Sequence, residues 1–234
     1  MGTVAPTGMI IPTATVLTPT CMPMADPFLT LHQMFSPAFP TGGFAYSHGL
    51  EAMVVEGRVA SVGDMEDWLE TVLRFGAGAT DAALFCCAYD AEDDLAEVAE
   101  LAAALSGTEE RRRETMLQGA AFAATIRKVW QLDLPDMAYP VAVGRAAVLM
   151  GLPRIPSAEA CLLGTASNLV HAGVRLIPLG QSDGQAVLAK AAVICSDVVA
   201  QAADTPIDDI GGFAPLIDIS SARHEVLETR LFRS

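Results

Sequence analysis

Apolar residues recur along most of this chain at intervals of three and four, the spacing that lines one face of a helix. The pattern starts at residue 26 or 27 and predicts a short helix to about 35, then a loop, then a helix over about 47–57, with Gly57 as its C-cap. Ser61 reads as an N-cap, with Asp64 three residues on and Glu66 and Asp67 close behind, for a helix that carries Leu69, Val72 and Leu73. That helix meets Gly76 and Gly78 and resumes through Leu84 to Tyr89. Glycine inside a helix costs about 1 kcal/mol against alanine, so the pair predicts a bend or a close helix–helix approach. Residues 92–105 repeat the pattern with Leu95, Val98, Leu101 and Leu105, and Ser106-Gly107 ends it. Thr108 caps the next helix, with Glu109 and Glu110 favoured by its dipole, Arg111-Arg112-Arg113 as a solvated face, and Phe122, Ile126 and Val129 as its stripe.

Prolines 135 and 140 precede a helix over about 141–150, which Gly151, Pro153 and Pro156 terminate. Ser157 then reads as a cap for a helix with Leu162, Ala166, Leu169, Gly173 and Ile177 on one face and Asn168, His171 and Arg175 on another. Pro178-Leu179-Gly180 interrupts it. The last predicted helix, about 182–203, is apolar round most of its circumference apart from Lys190, Asp197 and Gln201, which predicts a place at the centre of a bundle. Alternation at period two is scarce, no internal repeat stands out, and alanine supplies much of the apolar share. These features predict an all-α protein: one helical, bundle-like domain of about eight to ten helices over residues 26–204. It is flanked by a disordered extension at 1–25 and a flexible, partner-binding tail at 205–234.

Charge narrows the partners. A net charge of −14 opposes binding to nucleic acid or to anionic membrane surfaces. Only the tail departs from it, with Arg223, Arg230 and Arg233 against Glu225 and Glu228. The five cysteines include no C-x-x-C pair, so neither a disulfide framework nor a zinc site is indicated and a reducing cytoplasm is expected. The apolar runs are interrupted before the roughly 20 residues a membrane-spanning helix needs. The opening residues lack the basic region of a signal peptide and are broken by Pro6 and Pro12.

The stretch S-P-A-F-P-T-G-G-F-A-Y-S-H-G-L-E at 36–51 is the most unusual in composition. Its glycine pair lacks the lysine of a phosphate-binding loop, and no strand precedes it. The histidines, His32, His48, His171 and His224, show no metal-ligand spacing, and Cys21, Met22 and Met24 could serve only a soft metal ion. Ser47 and His48 adjoin, but nothing adds an oxyanion hole or the G-x-S-x-G signature. No catalytic, cofactor or metal set is therefore assigned. Phe44, Tyr46 and His48 on a proline-framed loop, and Leu231-Phe232 between Arg230 and Arg233, are the residue types enriched at interface cores, so the residues point to an interaction protein.

Four segments resemble the UreF family of urease accessory proteins. The opening stretch is similar to that family's S-P-x-x-P-x-G-x-F-x-x-S-x-G-L-E, Q-G-A-A-F at 118–122 to its Q-G-x-x-F, V-R-L-I-P-L-G-Q at 174–181 to its R-L-x-P-L-G-Q, and R-H-E-V-L-E-T-R-L-F-R-S at 223–234 to its R-H-E…R-L-F-x-S. The likeness runs from about residue 28 to the end. It implies an all-α protein, a homodimer, and a non-enzymatic role in delivering nickel to apo-urease, in a complex with a UreD-type scaffold (UreH in some organisms) and the UreG GTPase. The complex, not this chain, would handle the nickel, so no cofactor is expected. The resemblance assigns partner contacts to Phe44, Tyr46, Ser47, His48, Gly49 and Glu51, and to Arg223, His224, Glu225, Arg230, Leu231, Phe232, Arg233 and Ser234. Arg175 would hold the helix break or the dimer. Two other roles stay open: a regulator of GTP hydrolysis acting through an arginine, and a nickel-binding helical metalloprotein.

Overall fold

The computed structural model describes residues 25–91 and 95–234. Among them are ten α-helices, two 3-10 turns and no strand. The helices are α1 (Pro27–Met34), α2 (Leu50–Val55), α3 (Val62–Arg74), α4 (Ala77–Asp90), α5 (Ala96–Ala104), α6 (Glu109–Trp130), α7 (Tyr139–Leu149), α8 (Arg154–Leu176), α9 (Gln181–Ala202) and α10 (Pro215–His224). The expected extension falls outside the described residues save for residue 25, as do Cys21, Met22 and Met24.

Local chemistry explains most boundaries. Ser61 and Asp64 form a reciprocal capping box at the start of α3, and the Thr108 hydroxyl accepts from Arg111 N–H at the start of α6. The break between α3 and α4 falls at Phe75-Gly76, where two helices pack in place of one bent rod. Ser157 does not cap α8. That helix begins at Arg154, and Pro156 sits in its first turn, where a missing N–H costs no helical hydrogen bond.

The centre of the protein is α7, not α9. Val141, Ala142, Val143, Gly144, Ala146 and Ala147 are all buried, and small side chains let α4, α6 and α8 close around the helix. Helix α9 buries Val187, Ala191, Cys195, Val198 and Val199 against α3, α4 and α8 but leaves Val193 exposed. It is the one described helix long and apolar enough to cross a membrane by length and composition, and it carries Asp183, Lys190 and Asp197. Its apolar circumference misled the sequence reading because alanine is tolerated at exposed positions, and hydropathy does not separate the two settings.

Two packing details position the site. A Cβ on Gly119 would lie 1.9 Å from the Met137 carbonyl oxygen, so only glycine lets the 131–138 segment lie against α6. Phe39 packs on Phe122 with ring centroids 5.3 Å apart, and Phe122 meets Tyr139 edge-on at 5.8 Å, which anchors the proline-framed loop to α6 and α7. Beyond α9 the chain does not stay loose. A 3-10 turn at Ile207–Asp209 leads into α10, which packs on α2, and the segment after it returns to the body.

Candidate functional site

A 3-10 turn at Gly43–Ala45 brings the loop to an extended Tyr46, and the chain then reverses through two left-handed residues, His48 (φ 52°) and Gly49 (φ 77°). A non-glycine residue in that region costs roughly 1–2 kcal/mol, so the packing around His48 must hold it there. At Gly49 a Cβ would lie 2.6 Å from Ser221 N, and the glycine allows α10 to sit directly on the turn. The reversal starts α2 with Glu51 pointing inward, 4% exposed.

The C-terminal segment closes over this turn. Arg233 N–H donates to the Ala45 carbonyl at 2.8 Å, and the N–H and hydroxyl of Ser47 both donate to the Ser234 carbonyl, the N–H at 2.8 Å. Glu51 accepts from Leu231 N–H at 2.8 Å and Phe232 N–H at 3.1 Å. His224 is fully buried, with Nε2 3.0 Å from a Glu51 oxygen and Nδ1 2.8 Å from a Glu110 oxygen. An ionised carboxylate only accepts, so the ring serves both neighbours only with a hydrogen on each nitrogen. Arg230 adds a second cation to Glu110. Deeper in, Glu114 gathers His48 Nε2 (2.9 Å), Gln118 Nε2 (2.8 Å), the Ser234 hydroxyl (3.0 Å) and Arg111 (3.2 Å), and Arg111 reaches on to Asp81 at 2.7 Å. The Arg175 guanidinium lies 4.5 Å from the centroid of the buried Phe232 ring, a cation–π contact that fastens the end to α8.

Burial alone would raise both carboxyls. For Glu51, the Leu231 N–H, the His224 ring and the Phe232 N–H outweigh it and hold the group below the usual carboxylate range. For Glu114, the charges of His48 and Arg111 with the hydrogen bonds from His48 and Ser234 outweigh burial and bring it to about 2. Asp81 moves the other way: burial pushes its carboxyl up against the pull of Arg111.

This arrangement corrects several expectations. The loop presents Phe44 outward, 66% exposed, but Tyr46, Ser47, His48, Gly49 and Glu51 are buried. In the tail, Arg223, Glu225, Arg230, Leu231 and Arg233 are exposed, whereas His224, Phe232 and Ser234 are buried. The segment expected to hang free is a folded clasp whose polar anchors are spent within the chain. Arg111 is no solvated residue; it is ion-paired on two sides, unlike Arg112 and Arg113, which are exposed. Arg175 contacts the tail rather than holding the helix break. Among the described residues, no three His, Cys, Asp or Glu side chains gather to hold a metal.

What remains outward is a cleft of about 470 Å³ lined by Tyr46, Glu110, Arg113, Leu117, Arg230, Phe232 and Arg233. It is a basic concavity on an acidic body, and exposed Leu231 and Phe44 supplement its apolar content. Reading from composition missed Glu110, Glu114, Arg111, Asp81, Arg113 and Leu117. One signal was available: Glu110, Glu114 and Gln118 stand four apart on α6, a polar stripe along a helix that otherwise had to bury itself.

Comparison with known proteins agrees in extent with these features. A sequence-family model described as UreF matches residues 59–192. The chain is 46% identical over 211 residues to the urease accessory protein UreF of Cereibacter sphaeroides, spanning 90% of this chain and 100% of that protein. The protein of the same name from Roseobacter denitrificans is 42% identical, with 89% of this chain and 95% of the relative covered. That of Brucella ovis is 41% identical, with 94% and 100% covered.

Proposed function

Because this chain belongs to the UreF family, we propose that it is a urease accessory protein of the cytoplasm. It acts as a non-enzymatic chaperone for GTP-dependent nickel insertion into apo-urease, and as a homodimer it bridges a UreD/UreH-type scaffold protein and the UreG GTPase. Nickel enters this reading as cargo of the complex. One observation supports it most: the clasp sets Leu231 and Phe44 outward beside three cleft arginines while Phe232 and Ser234 fix the same segment to the body. Apolar anchors beside arginine suit a protein–protein contact, and a segment already ordered loses less entropy on binding.

The test uses exposed residues, so that folding and binding separate. Leu231→Asp combined with Arg233→Glu keeps the helical circular dichroism of the parent and loses co-purification with the UreD/UreH-type partner. Capture at the parental level would overturn the assignment. A second reading, in which a cleft arginine stabilises charge on the phosphoryl group transferred by the GTPase, is favoured by the exposed side chain of Arg113. Steady-state GTP hydrolysis by UreG with and without this protein decides between the two. Tight nickel binding in equilibrium dialysis of the isolated protein would instead favour a metalloprotein.

A further inference from the structure

A second cavity, of about 200 Å³, lies between α3, α4, α5, α6 and α10. It is smaller than the roughly 300–1,000 Å³ of pockets that enclose a drug-sized ligand, so its size suits one long side chain rather than a cofactor. Val72, Leu84, Leu105 and Ile217 make apolar walls, His48, Asp81 and Arg111 line the end shared with the clasp, and Asp218 stands at the exposed rim.

Charge and hydrogen bonding select the occupant. Asp81 and Asp218 are two carboxylates against the single guanidinium of Arg111, which also serves Glu114 at 3.2 Å. Among the described residues no ion pair involves Asp218. Burial pushes both aspartates up, so each is a carboxylate that a further cation would stabilise. His48 is 6% exposed; its Nε2 is engaged by Glu114, and its Nδ1 has no hydrogen-bond partner. With the Nε2 hydrogen given to Glu114, a neutral ring leaves Nδ1 as an acceptor in want of a donor. Around the rim stand the exposed side chains of Phe213, Phe75, Leu216 and Ile219; Phe213 N–H bonds the Phe75 carbonyl at 2.7 Å, and Leu216 and Ile219 share a face of α10. A small amine would leave that collar bare.

We propose that this cavity receives an arginine or lysine side chain of a protein partner. Its aliphatic stem lies between the apolar walls and its N–H groups reach Asp81 and His48, while apolar neighbours in the partner cover Phe75, Phe213, Leu216 and Ile219. The site is distinct from the arginine cleft and does not depend on what binds there.

The probe is the peptide acetyl-Leu-Arg-Leu-amide, titrated into the full-length protein and followed by amide shifts at Gly107, Thr108 and Asp218. It binds roughly tenfold tighter than the same peptide with citrulline in place of arginine. Asp218→Asn narrows that ratio. At Gly107 an added Cβ would meet only Asp218, at 3.7 Å, so Gly107→Leu can stopper the rim; it removes binding with the thermal midpoint unchanged. Equal binding of the two peptides, binding undiminished in Gly107→Leu, or no shifts at millimolar peptide would each overturn the proposal. Free agmatine binding as tightly as the peptide would overturn it in favour of a small-molecule site.

Discussion

Around α7, Val141, Ala142, Val143, Ala146 and Ala147 are buried with only helical hydrogen bonds to satisfy. Beneath residues 231–234, Glu51, Glu114, His48 and His224 are buried nearly as deeply, and each depends on named partners. Burial in the first region is graded: stability follows the apolar volume removed from water. In the second it is conditional, because a buried charge without its partner costs several kcal/mol. The core can therefore lose a methyl group and stay folded, whereas the clasp opens as a unit when one of its acceptors goes.

Substitutions at the two sites test that difference most severely. Glu114→Ala leaves His48, Arg111, Gln118 and Ser234 facing nothing and should cost about 3–5 kcal/mol in denaturant unfolding. It should also strip hydrogen-exchange protection from the amides of 231–234. Leu73→Ala, at a fully buried core position, should cost a comparable amount of about 2–5 kcal/mol and leave clasp protection in proportion to global stability. Equal exchange profiles in the two variants would erase the distinction.

Acid sharpens it further. Glu51 and Glu114 both titrate lower in the folded chain than in the unfolded one. Their contribution is therefore whole above about pH 4.5 and is lost as pH falls, for Glu114 down to about 2. The Glu114 share is on the order of 3 kcal/mol. Glu114→Gln should flatten the stability profile between those limits, and an unchanged slope would count against the clasp as the acid-sensitive element. Glu51→Gln is milder, since an amide oxygen still accepts from Leu231 or Phe232 N–H. It should cost about 1–3 kcal/mol, seen mainly as faster exchange at those two amides. The smallest effect belongs to Arg233→Ala, on an exposed side chain, which should change stability by no more than about 0.5 kcal/mol while weakening partner capture.

Most of the fold was legible from spacing and caps. Ser61-Asp64, Thr108 and Gly57 act where local hydrogen bonds alone dictate structure, and they mark boundaries correctly. Helix α10 was not legible. Its exposed Leu216 and Ile219 blur any amphipathic stripe, and two glycines precede it. The candidate site was half legible. Motifs in 36–51 and 223–234 singled out both halves of the clasp, but as separate outward-facing segments.

By itself, then, the sequence determined an all-helical protein, the approximate course of nine of its helices, and the two segments that carry its identity, because helix periodicity and capping are properties of neighbouring residues. Only the tertiary structure decided that these segments face each other. Glu51 meets Leu231 and Phe232 across about 180 residues, and Glu114 meets Ser234 across 120. No local pattern encodes which carboxylate a distant N–H will find; that choice is made when burial removes water as the competing partner.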